Sequence, residues 1–110
     1  MTAADAVVVL VTAGSREEAG RIGTALVTER LAACVNLIGP IHSIYRWQGS
    51  IEEAEEWQLV VKARAADLSA LEARVKALHS YEVPEILALP VYGGSAAYLA
   101  WLDEATKRDA

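Results

Sequence analysis

Residues 34–47, CVNLIGPIHSIYRW, and residues 51–64, IEEAEEWQLVVKAR, decide the fold, because they read as the two arms of one long hairpin. The first arm is rich in Val, Ile, Tyr and Trp, which favour a pleated, half-buried surface. Gly39-Pro40 interrupts it, and proline within a strand marks an edge or a bulge. Gln48-Gly49-Ser50 turns the chain. From Trp57 the return arm alternates, with Trp57, Leu59 and Val61 one way and Gln58, Val60 and Lys62 the other. Each arm of about 14 residues spans roughly 45 Å at about 3.3 Å per residue. A globule of this chain length has a diameter of roughly 33 Å, so the hairpin is predicted to overhang its own body. Overhanging strands expose unpaired edges and an uncovered face. Glu52, Glu53, Glu55 and Glu56 can blunt one arm, whereas Ile44, Tyr45 and Trp47 have no such protection. A homo-oligomer whose hairpins pair across subunits is the expectation.

The rest of the chain falls into place on either side. Residues 1–5 read as a frayed tail. Residues 6–12, AVVVLVT, are apolar on both faces and so read as a central strand. Ser15 with Glu18 three residues on fits a capping box. Apolar pairs Ile22 with Leu26 and Val27 with Leu31 extend that helix to about Ala32. Asp67 is placed to cap a second helix with Leu68, Leu71, Val75 and Leu78 on one stripe. It ends before Pro84, since the residue ahead of proline avoids the helical region. Residues 85–92 read as a last strand, and Ser95 can cap a final helix bearing Tyr98, Trp101 and Leu102. The order β-α-β-β-α-β-α is the split-βαβ, ferredoxin-like α+β arrangement, with helices over one face of a mostly antiparallel sheet.

Residues 1–110 make a single domain. Apolar residues are 54% of the chain, too many for disorder. The longest apolar run is far below the roughly 20 residues of a membrane span, and no basic region precedes it as in a signal peptide. Fifteen acidic against 10 basic residues, without a basic cluster, disfavour nucleic acid as partner. One cysteine, Cys34, excludes an internal disulfide and fits a reducing cytoplasm.

No GxSxG, GxGxxG, P-loop or HExxH motif is present, and an enzyme is not expected. Cys34, among Ala33 and Val35, reads as an inert thiol, and His42 as a surface residue. His79, in His79-Ser80-Tyr81-Glu82-Val83-Pro84-Glu85, has two readings. With Glu82 or Glu85 it could give a divalent metal two ligands; otherwise it donates to a backbone carbonyl at a helix end. Lys62 lies mid-strand, six residues from Glu56 and on the same face, roughly 20 Å away. It needs a carboxylate partner or a wet cleft, and Tyr45, Trp47, Trp57 and Trp101 could wall such a cleft or serve as ordinary core aromatics.

These segments together, with Leu31-Ala32-Ala33-Cys34-Val35-Asn36, Ser43-Ile44-Tyr45-Arg46-Trp47-Gln48-Gly49 and Tyr98-Leu99-Ala100-Trp101, resemble the CutA divalent-cation tolerance family from about Val7 to Leu102. The resemblance implies a ferredoxin-like subunit, a homotrimer similar to PII signalling proteins, a role in divalent metal tolerance and no established enzymatic activity. It also implies copper binding in some bacterial members. The chain departs from those members: Val11 stands where they resemble one another in a Cys, Leu78 where they have a second His, Ser80 for a Pro and Ala63 for a Thr.

Three readings follow. The first is a trimeric cytoplasmic metal-tolerance protein that binds copper, zinc or another divalent cation weakly, with His79 and Glu85 as ligands and no required cofactor. The alternative is a PII-like sensor holding a small anion in inter-subunit clefts of Tyr45, Trp47, Glu56, Lys62 and Trp101. An acylphosphatase-like hydrolase is disfavoured, because no anion-binding loop with an Arg is present.

Overall fold

The computed structural model describes residues 1–108. Strand β1 (Ala6–Ala13) is followed by helix α1 (Arg16–Thr28), then by the hairpin of β2 (Cys34–Trp47) and β3 (Ser50–Arg64). Helix α2 (Leu68–Leu78), strand β4 (Ile86–Pro90) and helix α3 (Ala96–Ala105) complete the chain. The sheet order is β2-β3-β1-β4 and every pairing is antiparallel. This is the ferredoxin-like α+β arrangement, with β1 central as its doubly apolar sequence requires. Both prolines within strands, Pro40 and Pro90, lie in the edge strands β2 and β4, where a missing donor costs least.

Alternation divides the sheet into two faces. Val7, Val9, Val11 and Ala13 of β1 and Leu59, Val61 and Ala63 of β3 meet Ile22 and Leu26 of α1 and Leu71 and Val75 of α2 in the main core. The opposite face carries Val8, Leu10, Val60, Lys62, Leu87 and Leu89, which are half-buried or exposed. A second cluster of Ala6, Ala33, Leu99 and Leu102 seats α3 at one end of the sheet.

Strand β1 meets β3 only over Trp57–Arg64. Residues 50–56 of β3 therefore pair with residues 41–47 of β2 alone, as a two-stranded ribbon beyond the sheet. The molecule measures 44 × 27 × 22 Å, which bears out the overhang. Ile44 and Ile51 on the ribbon are 67% and 61% exposed. The ribbon turns through Gln48 and Gly49, both at positive φ (48° and 83°), between the paired Trp47 and Ser50. A two-residue loop of this kind matches the twist of its strands.

Several ends differ from the sequence expectation. Residues 1–5 are not a frayed tail: Ala3–Asp5 form a 3₁₀ turn, and the Asp5 carboxylate accepts from Thr2 N at 2.8 Å. Helix α1 stops at Thr28, not Ala32. Arg30 turns left-handed (φ 60°), its N–H donates to Val27 O, and Leu31 N donates to Leu26 O, which together close a Schellman cap. Asp67 gives α2 no side-chain cap. Its carboxylate takes a two-pronged bond from Arg108, at 2.8 and 2.9 Å, which holds its pKa below the usual carboxylate range. The last strand is shorter than residues 85–92, and Glu85 is left in the preceding loop.

Candidate functional site

Between Ile38 and Ile41 the pairing of β2 with β3 slips, so that Gly39 and Pro40 lie opposite the single residue Trp57. Such a bulge reverses the alternation downstream. Before it, Val35 and Leu37 pair with the core-facing Val61 and Leu59. After it, Ile41, Ser43, Tyr45 and Trp47 share the face of Glu56 and Gln58, away from the helices. A cleft of about 600 Å³ opens there, bounded by these residues and by the loop between α2 and β4.

That loop is fastened from several sides. His79 ends α2 with its side chain fully buried. Its Nδ1 accepts from Tyr81 N at 3.0 Å, so its proton sits on Nε2, which donates to Thr12 O at 2.7 Å. The Tyr81 ring lies 4.7 Å from the imidazole, and its hydroxyl donates to Glu56 Oε2 at 2.8 Å. Burial, then that carboxylate, raises the Tyr81 pKa well above the usual tyrosine value, which keeps the phenol a donor. Glu18 accepts from Ser80 N at 2.8 Å and from Gly14 N at 3.4 Å. Burial alone would raise its pKa; the Ser80 and Gly14 bonds outweigh it and leave the carboxyl below its ordinary value. Ser15 Oγ does accept from Glu18 N, at 3.1 Å, as a capping box requires. The carboxylate, however, reaches Gly14 rather than Ser15. Gln58 Nε2 donates to Val11 O at 2.8 Å and touches Glu85 Oε2 at 3.4 Å.

The cleft brings together only part of the expected set. Tyr45, Trp47, Glu56 and Glu85 line it, with Glu82 and Tyr81. Lys62 does not: among the described residues it meets no carboxylate and does not line the cleft, and its Nζ donates to Asn36 Oδ1 across the strand pair. Trp101 sits on α3, its ring 5.4 Å from Tyr98. Trp57 packs against the core and beneath Arg16, 5.8 Å from its ring centre. His79 and Glu85 form no pair, because both imidazole nitrogens are already bonded and leave no lone pair for a cation. Among the described residues no three His, Cys, Asp or Glu side chains converge on one point, so the donors do not fit a tightly held metal. Three glutamates line the cleft without any Lys, Arg or His among its described residues. Within this single-subunit cleft an anion therefore lacks a basic counter-charge; the clefts expected between subunits, with Lys62, are not formed by one chain. Tyr81, Gln58 and Thr12 were not singled out from sequence. Tyr81 alone had a signal there, a hydroxyl between His79 and two glutamates.

The sheet order and the helices on one face define a ferredoxin-like protein with an extended hairpin. The family model described as CutA1 divalent ion tolerance protein matches residues 7–105, and the chain belongs to that family. A divalent-cation tolerance protein CutA from Thermus thermophilus is 54% identical over 99 residues, 90% of this chain and 96% of that one. The chloroplastic protein CutA 1 of Oryza sativa is 42% identical over 106 residues; the match takes in 96% of this chain but 60% of that longer one. Among solved structures, the Thermus thermophilus protein superposes with a TM-score of 0.90 at 52% identity, covering 93% of this chain and 99% of that one. A periplasmic divalent cation tolerance protein CutA from Archaeoglobus fulgidus gives 0.90 at 41% identity, covering 93% and 99%.

Proposed function

We propose that the protein is a homotrimeric, cytoplasmic contributor to divalent metal tolerance that meets cations weakly, through Glu85 and the neighbouring carboxylates of the hairpin cleft. The observation that carries this reading is the cleft's charge: Glu56, Glu82 and Glu85 without a basic side chain among the described lining residues. Carboxylates that do not converge favour weak, exchangeable contact over a closed coordination shell. An all-carboxylate donor set suits a hard divalent ion better than Cu⁺, which soft sulfur donors select. Val11, at the position of the copper-binding relatives' Cys, is fully buried in the core. His79 serves in this reading as a clamp behind the cleft.

Two observations support the trimer. The sheet has two free edges, β2 and β4, and a closed ring needs two different complementary patches on each subunit. Leu87 and Leu89 on β4 and Ile44 and Tyr45 on the ribbon leave large apolar side chains exposed at those edges. The cytoplasmic placement rests on one free cysteine; relatives described as chloroplastic and periplasmic leave other compartments open to the family. No helix among the described residues is long and apolar enough to cross a membrane.

Calorimetric titration with Zn²⁺ and Cu²⁺ tests the metal reading. The expected affinity is roughly 0.1–1 mM, lost in Glu85→Gln. A tight stoichiometric site, or equal binding by the variant, would refute it. Light scattering tests the trimer: three times 11.8 kDa is expected, and a mass near one chain refutes it.

A further inference from the structure

Cys34 and Lys62 stand directly opposite each other where β2 meets β3, at the root of the hairpin rather than on the ribbon. Side chains opposed in this way have Cβ atoms about 4.5–5.5 Å apart. Asn36, two residues along β2 from Cys34, lies on the same face. Its Oδ1 accepts from Lys62 Nζ and lies 4.0 Å from Cys34 Sγ, so the thiol and the amine converge on one oxygen. Both residues are half-buried, so the pair is neither sealed in the core nor fully in water. The chain has three lysines. Lys76 faces Glu72 at 3.5 Å and Lys107 faces Glu104 at 3.7 Å. The partner of Lys62 is instead the neutral Asn36 amide, which competes less for the nitrogen than a carboxylate does.

A thiol is partly ionised near neutral pH and intrinsically nucleophilic, whereas a free lysine amine is almost wholly protonated there. A thiol therefore takes an acyl group from a thioester more readily than an amine does. An amine held beside it then receives that group within the molecule, with the rate advantage of reactants already brought together.

We infer that Cys34 and Lys62 form an acyl relay, in which Cys34 takes an acyl group from a small acyl thioester and passes it to Lys62. The Cys34 thiolate attacks the thioester carbonyl; its C–S bond forms, and the donor's thiolate leaves and takes up the proton that Cys34 gave up. The unprotonated Lys62 Nζ then attacks the new carbonyl. A C–N bond forms, the C–S bond to Cys34 breaks, and the proton of the amine passes to the departing sulfur. The products are a free donor thiol, an amide at Lys62 and the original Cys34 thiol, with nothing oxidised or reduced. The amide removes a positive charge from the sheet face that also carries Leu87 and Leu89. Neither Cys34 nor Lys62 enters the metal reading, so the two stand or fall separately.

The test is incubation of the full chain with S-acetyl-N-acetylcysteamine at about pH 8, where some lysine amine is unprotonated. Peptide mass spectrometry follows acetylation of each lysine. Lys62 is expected to react at least about tenfold faster than Lys76 and Lys107. In Cys34→Ser, Lys62 should fall to the rate of the other two, while theirs stay unchanged. In Lys62→Arg the acetyl group should remain on Cys34, as a thioester that hydroxylamine removes. Lys62 reacting no faster than Lys76 and Lys107 overturns the inference, and that is also the result if a neighbouring copy covers the pair. Fast acetylation of Lys62 that survives in Cys34→Ser overturns it as well, since the amine then reacts unaided. So does the lack of a Cys34 thioester in Lys62→Arg.

Discussion

Gly39 is where the bulge of β2 crosses the indole of Trp57, and an added methyl group there tests that contact directly. A Cβ at Gly39 would lie 2.5 Å from Trp57 Cδ2, 2.6 Å from Cε3 and 2.9 Å from Cε2. Carbon atoms in contact prefer about 3.5–4.0 Å, so the ring or the strand must retreat by about 1 Å. Trp57 is part of the wall of the main core, so the ring cannot swing away freely. Overpacking of this kind costs about 1–3 kcal/mol. Gly39 does not sit at positive φ, so alanine recovers about 0.4–1 kcal/mol by restricting the unfolded chain. The expected net loss for Gly39→Ala is therefore about 1–2 kcal/mol. Denaturant unfolding measures it, at one fixed protein concentration because an oligomer's stability depends on concentration. A second background separates this clash from any other effect of alanine. In Trp57→Leu the ring is gone, and Gly39→Ala should become neutral or slightly stabilising there. A cost that is the same in both backgrounds, within about 0.5 kcal/mol, would show that the indole is not the obstacle.

Glu18→Gln should lose about 1–3 kcal/mol at neutral pH, because the charged acceptor of Ser80 and Gly14 is replaced. The Glu18 pKa is lowered on folding, so its contribution is full above the unfolded value of about 4.5 and is lost as the pH falls through the folded value. The gap between wild type and variant should accordingly close in acid; a gap that widens there refutes the assignment. Tyr81→Phe withdraws the donor from Glu56 and is expected to cost about 1–3 kcal/mol in the same unfolding measurement. Leu71→Ala, at a fully buried site between α2 and the sheet, should cost about 2–5 kcal/mol. Arg108→Ala breaks a two-pronged pair in which the Asp67 side chain is only 12% exposed, and should cost about 1 kcal/mol.

The fold was largely legible because its signals are local and repeated. The β-branched run at residues 6–12, the alternation from Trp57 and the breaks at Gly49 and Pro84 each specify an element through their own chemistry. The overhang followed from strand length set against chain length. The site was less legible because its contacts join residues far apart in sequence. Glu18 reaches Ser80, Tyr81 reaches Glu56 and Lys62 reaches Asn36. Pro40 announced an edge or a bulge, but only the register with β3 reveals that Tyr45 and Trp47 are thereby turned onto the face of Glu56. Asp67 shows the converse limit. Its residue type favours a helix cap, yet a guanidinium from the far end of the chain competes for the same oxygens and prevails.

The cluster that seats α3 also contains Met1, Ala3 and Ala105, so the beginning of β1 and the end of the last helix share one pole of the molecule. Thr12, on the wall of the cleft, lies six residues along β1 from Ala6, or roughly 20 Å away. Any polypeptide joined ahead of residue 1 would thus start from the pole opposite the cleft, clear of its mouth within the same subunit. A fluorescent or affinity label attached there can report on cleft occupancy without entering it.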